Sequence, residues 1–271
     1  MISTLPSLSG WLENFLLNNG RQPGANSRRK IVTVIGSGGK TSLIWFMAAA
    51  LAVIPDRKIL VTPTTKMLVP PYAAKRNAGL NFYTRYFSSP EMVTAAASGI
   101  TLAGNFNKAS GKLESFPLPK LESMINDYDF VLIEGDGSRA LPYKAWESYE
   151  PVVPSFTDLT IGMLPIQGLG EAITEKTVCR LELFLARTGA LKGEALTKEH
   201  LKRVISGNET GSSTGLFAKA RGKKLLFLNQ VEDAASLKNA RELAEILPKN
   251  FRKTLAAIIA GSVMENLVFE L

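Results

Sequence analysis

Gly36-Ser37-Gly38-Gly39-Lys40-Thr41-Ser42 brings together glycines, a lysine and three hydroxyls in seven residues. Glycines let backbone N–H groups approach an anion closely, Lys40 supplies a cation, and the Thr41 hydroxyl can ligate Mg²⁺. The chemistry that suits this set is the cradling of phosphates. A second cluster, Glu134-Gly135-Asp136-Gly137-Ser138-Arg139, adds two carboxylates and an arginine. Carboxylates at such a position hold a metal or its water shell near phosphates, so Thr41, Glu134 and Asp136 are the candidate metal ligands. Either acid could contact the metal while the other orients water or substrate. Arg139 could stabilise charge developing on a transferred phosphoryl group, or pair with Glu147 or Glu150. The catalytic candidates are therefore Lys40, Glu134, Asp136 and Arg139.

These clusters need a scaffold, and the apolar pattern predicts one. Continuous apolar runs at Lys30–Ile35, Lys58–Thr62, Asn81–Phe87, Ile100–Ala103, Phe130–Ile133, Asp158–Leu164, Leu225–Leu228 and Leu255–Ala260 read as strands. Helical stretches fall between them at Thr41–Ile54, Leu118–Asn126, Glu175–Thr188, Lys198–Ser206 and Ala234–Leu247. Strands that are apolar throughout, alternating with helices, predict a mostly parallel, doubly wound α/β sheet covered on both faces, a three-layer α/β/α arrangement of the P-loop NTPase type. An N-terminal helical extension over 1–27, including an amphipathic helix at Leu5–Leu17, precedes the main domain at 28–271. The Pro- and Gly-rich stretch 141–215 is expected to form a helical or loop insertion, a lid or small subdomain.

In this arrangement the chemistry-bearing clusters share one edge. Gly36, Glu134 and two further sets all follow the carboxyl ends of strands, where open α/β sheets bind ligands. One further set is Thr62-Pro63-Thr64-Thr65-Lys66, whose hydroxyls and lysine could reach a γ-phosphate, the metal's waters or an anionic second substrate. Pro63 fits a plain turn there equally well. The other is Asn229-Gln230-Val231-Glu232, placed like the Asn-Lys-x-Asp base-reading element of GTPases but with Gln230 and Glu232 departing from it.

The 271 residues carry a net charge of +8, which suits an anionic ligand without choosing among nucleotide, acidic partner and nucleic acid. The densest basic runs, Arg28-Arg29-Lys30 and Arg221-Gly222-Lys223-Lys224, fall at strand entries with no alternating aromatic residues. A nucleic-acid partner is therefore not expected. No apolar run approaches the ~20 residues a membrane-spanning helix needs, and no signal peptide is apparent, so the expected location is cytoplasmic. One cysteine, Cys179, and one histidine, His200, give no recognisable zinc site; Cys179 reads as a core thiol and His200 as a surface residue.

The order of Val34–Thr41, Thr62–Met67, Glu134–Arg139, Lys144 and Glu150-Pro151-Val152-Val153-Pro154 resembles the YqeC-like family of NTPases, over roughly Lys30 to Asn229. The resemblance implies a P-loop protein associated with maturation of selenium-dependent molybdenum hydroxylases. The short glycine loop also looks like the cradle of Mur-type ligases, with Gly38 in place of an asparagine. The expected ligands are Mg²⁺ and a nucleotide, ATP ahead of GTP, bound by Gly36, Ser37, Gly38, Gly39, Lys40, Thr41, Ser42, Thr62, Thr64, Thr65, Lys66 and Asn229. Water as acceptor would make the protein a hydrolase. An anionic small molecule held by Lys66, Arg139 or Lys144 would make it a kinase or ligase-like enzyme. A third reading is a non-catalytic, nucleotide-dependent chaperone that delivers a cofactor to a client metalloenzyme. Composition and motifs leave the oligomeric state open.

Overall fold

Strands that are apolar on both sides must be covered on both faces, and the main sheet is built this way. The computed structural model describes residues 7–18, 29–69, 85–88, 93, 98–207 and 214–271. The first half supplies β1 (Lys30–Gly36), β2 (Lys58–Pro63), β3 (Lys66–Leu68), β4 (Arg85–Phe87), β5 (Gly99–Ala103), β6 (Asn105–Asn107), β7 (Lys112–Glu114) and β8 (Phe130–Glu134). The second supplies β9 (Tyr143–Lys144), β10 (Leu159–Pro165), β11 (Val178–Cys179), β12 (Lys223–Asn229), β13 (Ala257–Ser262) and β14 (Leu267–Glu270). The helices are α1 (Leu8–Asn18), α2 (Lys40–Ala52), α3 (Leu118–Met124), α4 (Leu181–Thr188), α5 (Lys198–Ser206), α6 (Ala234–Ile246) and α7 (Lys249–Arg252).

Nine strands form one sheet in the order β14-β13-β12-β10-β1-β8-β2-β5-β4, parallel throughout except for β14. Successive residues face opposite sides. Val32, Val34, Leu225 and Phe227 join one core with α1 and α2. Ile35, Leu226 and Leu228 join a second with α4, α5 and α6. Ile31, Leu60 and Val131 join a third with Phe116 and Leu121 of the α3 region. Each fully buried aliphatic side chain contributes about 1.5–3 kcal/mol, so the three cores together hold the layers. The result is the expected three-layer α/β/α fold.

Where the elements differ from the sequence reading, local geometry explains it. The helix expected over Glu175–Thr188 begins only at Leu181, because Thr177 closes a turn on Thr174 and Val178–Cys179 pairs with β9. Arg180, left-handed at φ 61°, then starts the helix. The strand expected at Asn81–Phe87 is seen over Arg85–Phe87, its first residues lying outside the described ones. The N-terminal helix packs directly on the sheet: Leu8, Leu12 and Leu16 are buried in the first core, and Leu8 N–H donates to Asn266 O at 3.1 Å. Most of 141–215 likewise packs on the second core through Tyr143, Trp146, Phe184 and Leu201. Cys179 is buried, as expected for a core thiol. His200 is buried too, contrary to the surface reading, because its Nδ1 accepts the Thr197 N–H and closes a capping box on α5.

A separate three-stranded antiparallel sheet, β3-β7-β6, stands at the carboxyl edge of the main sheet. Met67 and Leu113 turn inward to the core, which leaves Lys66, Leu68, Lys112 and Glu114 on the other face. Alternation thus turns a minor sheet into a charged wall beside the glycine loop.

Candidate functional site

β1 ends where only glycine fits. Gly36 has φ +102°, and a Cβ there would lie 2.1 Å from Met163 O; Gly38 has φ +76°, and its Cβ would meet the Pro165 ring at 2.5 Å. The loop therefore lies flat on the tip of β10, fixed by the Ser37 N–H donating to Met163 O at 2.9 Å. Gly39, left-handed at φ 118°, leads into α2, and no side chain caps the helix start. The first N–H groups of α2 are left for an anion, at the positive end of its dipole. Lys40 is folded back in this arrangement, its Nζ donating to Gly36 O at 2.6 Å and lying 3.4 Å from Asp136 Oδ1.

Register brings the second cluster alongside. Glu134, the last residue of β8, pairs with Val34 on β1 and Pro63 on β2. Thr41 Oγ1 donates to Glu134 Oε2 at 2.7 Å, joining the helix start to the strand tip. Burial pushes the Glu134 carboxyl above its ordinary pKa, and Lys40 and the Thr41 hydroxyl only partly oppose this. An acid so placed, at the mouth of a cavity and hydrogen-bonded to a hydroxyl, suits a divalent cation.

Asp136 has a different environment. Gly36 N–H reaches both its oxygens at 3.1 Å, Lys144 Nζ lies 3.0 Å from Oδ2, and Trp146 Nε1 donates to Oδ2 at 2.6 Å. Burial alone would raise its pKa, but Lys40, Lys144, Trp146 and the Gly36 N–H together hold it below the ordinary carboxylate range. Five contacts from its own chain saturate this carboxylate, so of the two acids it is Glu134 that faces a ligand. Lys144 is equally enclosed. Its Nζ also donates to Gly137 O at 2.6 Å and to Glu150 Oε2 at 3.1 Å, and Glu150 is bound in turn by Arg180 at 2.8 Å. With all three of its hydrogens engaged and no exposed surface, Lys144 cannot hold a substrate, which corrects that part of the sequence reading.

A cavity of about 330 Å³ opens over the loop, lined by Gly38 to Ser42, Glu134, the turn Gly137–Pro142, the charged wall and Gln230. Lys40, Lys66, Lys112 and Arg139 face it against the single carboxylate of Glu134. Lys66 is held by Glu114 at 2.7 Å, its neighbour across β3 and β7. Arg139 is exposed and presented by a turn in which Arg139 and Ala140 are both left-handed, at φ 54° and 61°, closed by Leu141 N–H on Ser138 O. Two such residues in a row cost of order 1–3 kcal/mol each, and strain of this kind gathers at functional loops.

The remaining candidates divide by orientation. Ser42 is exposed on the cavity wall. Thr64 donates its hydroxyl to Val152 O at 2.6 Å, away from a ligand. Ser37 Oγ, Thr62 Oγ1 and Thr65 Oγ1 are buried without a hydrogen-bond partner among the described residues. Asn229 braces the loop, its Nδ2 donating to Gly38 O at 2.8 Å. Lys112 and the left-handed backbone that presents Arg139 escaped sequence reasoning, although Arg139 itself was a candidate: a three-residue strand has no readable period, and a strained turn has no composition signal. Among the described residues no group of three or more His, Cys, Asp or Glu side chains is placed to hold a metal. A divalent ion here would therefore take Thr41 and Glu134 together with ligand oxygens, as Mg²⁺ does with phosphates. A larger groove of about 910 Å³ lies away from this edge between α5 and α7, lined by Lys202, Arg203, Phe217 and Phe251. It lacks the glycine loop and the converging carboxylate, so chemistry rather than volume selects the smaller cavity.

The family model for the YqeC protein matches residues 32–182, which include the glycine loop, both carboxylates and the Lys144 network. The chain belongs to the YqeC family. A relative from Escherichia coli (strain K12), described as "Uncharacterized protein YqeC", is 27% identical over 248 residues, covering 90% of this chain and 91% of the relative. The family match ends before β12, so the Asn229 brace lies outside it. Among the described residues no helix is long and apolar enough to cross a membrane.

Proposed function

We propose that this YqeC-family protein binds a nucleoside triphosphate with Mg²⁺ on the Gly36–Thr41 loop and cleaves its terminal phosphoanhydride bond. The observation that carries this is the Thr41–Glu134 hydrogen bond at the floor of a cavity with four cationic side chains. Backbone N–H groups of the loop and of the α2 start would bind phosphate oxygens. Lys40 would exchange its contact with Gly36 O for the β- and γ-phosphates. When bound, Mg²⁺ held by Thr41 and Glu134 would neutralise charge on the β- and γ-phosphate oxygens. Arg139, Lys66 and Lys112 stand where they can meet negative charge on the γ-phosphoryl group or on an anionic acceptor. The bond from the γ-phosphorus to the β–γ bridging oxygen breaks and one to the acceptor oxygen forms, the acceptor's proton passing to solvent. With water as acceptor the products are a nucleoside diphosphate and inorganic phosphate.

Asp136 organises this site rather than reacting in it, since it fixes Gly36 and holds Lys40 ready beside the loop. Among the described residues Glu134 is the one carboxylate lining the cavity, and with Thr41 beside it we assign it to the metal rather than to proton transfer. Following the family resemblance, this activity would serve the maturation of a selenium-dependent molybdenum hydroxylase. Phosphate release from Mg²⁺-nucleotide tests the reading. Glu134→Gln is expected to lower release by about 10²-fold or more, the scale on which single electrostatic groups act. Release unchanged in Glu134→Gln would remove Glu134 from the metal site and contradict the mechanism.

A further inference from the structure

The tips of β12 and β13 lie side by side next to the glycine loop, and their side chains form a second device. The Asn229 amide, at the tip of β12, links the glycine loop to the end of β13: Nδ2 donates to Gly38 O, and Oδ1 accepts the Val263 N–H at 3.2 Å. Beyond it Gln230 is left-handed at φ 62° and lines the cavity. Val231 returns to the core, its N–H donating to Gly261 O at 2.9 Å. The next residue, Glu232, is exposed but not loose. Its Oε1 accepts the hydroxyl of Ser262 at 3.0 Å, and Ser262 is 1% exposed, its Oγ also accepting the Glu265 N–H at 3.2 Å. The Glu232 N–H is tied to Ser236 Oγ at 3.1 Å. A surface glutamate is thus held through Oε1 by a buried hydroxyl, two residues along the chain from the cavity-lining Gln230.

We propose that Glu232 reads the nucleobase of the bound nucleotide and that the base is guanine, in place of the adenine expected from the sequence. The proposal rests on the nucleotide reading above. Guanine offers N1–H and a 2-amino N–H as adjacent donors on one edge, and a carboxylate accepts both. Adenine sets a lone pair on N1 at that edge, so the same carboxylate meets an acceptor and is left unpaired on one side. Sites built to pair with a donor reject the analogue that lacks it, because the protein group then goes unsatisfied. Ser262 sharpens the choice by donating to Oε1, which keeps Glu232 in an accepting role. The Asn229 amide ties this reader to the phosphate loop, so base and phosphates are gripped by one connected unit.

The test is competitive binding to the wild-type chain of the Mg²⁺ complexes of GTP, ITP, XTP and ATP, repeated with Glu232→Gln. GTP is expected to bind about 10- to 100-fold more tightly than ATP, the discrimination of one paired contact to a base. ITP, which lacks the 2-amino group, should fall between them. Glu232→Gln should lose the preference for GTP and gain XTP, because the glutamine amide can donate to the 2-carbonyl of xanthine. Equal binding of GTP and ATP by the wild type overturns this inference alone. So does a Glu232→Gln effect equal for both nucleotides, which would make Glu232 only a clamp on the 262–265 turn. Binding of no nucleotide overturns the parent reading as well.

Discussion

Glu134 and Asp136 stand two residues apart at the tip of one strand, both buried, and differ in the partners that surround them. Glu134 opens on a cavity, has one hydroxyl partner, and has its pKa raised by burial. Asp136 is sealed beneath the loop, is met by four donor groups from its own chain, and has its pKa lowered by them against its own burial penalty. The contrast teaches that a carboxylate's role follows from which charges are left for it. The cluster that uses up its partners stabilises the fold, and the one that lacks them is open to a ligand.

The largest effect should come from breaking the sealed side. Lys144→Met removes one partner of a fully buried ion pair and leaves both Asp136 and Glu150 short of a donor. Breaking such a pair costs about 3–5 kcal/mol, read as a fall in the denaturant midpoint with unchanged slope. Glu134→Gln, on the open side, should leave stability within about 1 kcal/mol while removing turnover. If instead Lys144→Met were neutral and Glu134→Gln unfolded the protein, the two roles would have to be exchanged.

A smaller effect sharpens the comparison through pH. Asp136 has a depressed folded pKa, so its stabilisation is complete above its unfolded pKa of about 3.9 and is lost as pH falls through the folded value. Glu134 has a raised folded pKa, so between its unfolded pKa of about 4.3 and that folded value the native state holds the extra proton. Stability then falls as pH rises through that window. Denaturant titrations across acid pH should show the falling limb vanish in Glu134→Gln while the steep acid loss remains. A limb that persists in that variant would assign it to another group.

Much of this arrangement was legible before the fold was seen. β1, β2, β8, β10, β12 and β13 are long apolar runs, and a parallel sheet puts their carboxyl ends on one edge, so Gly36, Thr62, Glu134 and Asn229 were bound to meet. What sequence could not assign was which of two carboxylates is free. That depends on Lys144 and Trp146 reaching back under the loop from β9 and the second residue after it, contacts with no periodic signature. Lys112 was hidden for a similar reason. β3, β6 and β7 are three residues each and form only by pairing with one another. The Ser262–Glu232 contact needed the tips of two strands, distant in sequence, to be laid side by side.

The central claim, that the Gly36–Thr41 loop is a nucleotide-phosphate site, is tested most directly by calorimetric binding of Mg²⁺-GTP and Mg²⁺-ATP to the wild-type chain and to Lys40→Ala. Asp136 keeps Lys144, Trp146 and the Gly36 N–H when Lys40 is removed, so the variant should fold, which its melting curve can verify. The account predicts saturable binding to the wild type and a loss of about 10²-fold or more in Lys40→Ala, the scale of a charged group removed from a desolvated partner. Nucleotide bound as tightly by a folded Lys40→Ala as by the wild type, or by neither, would contradict it.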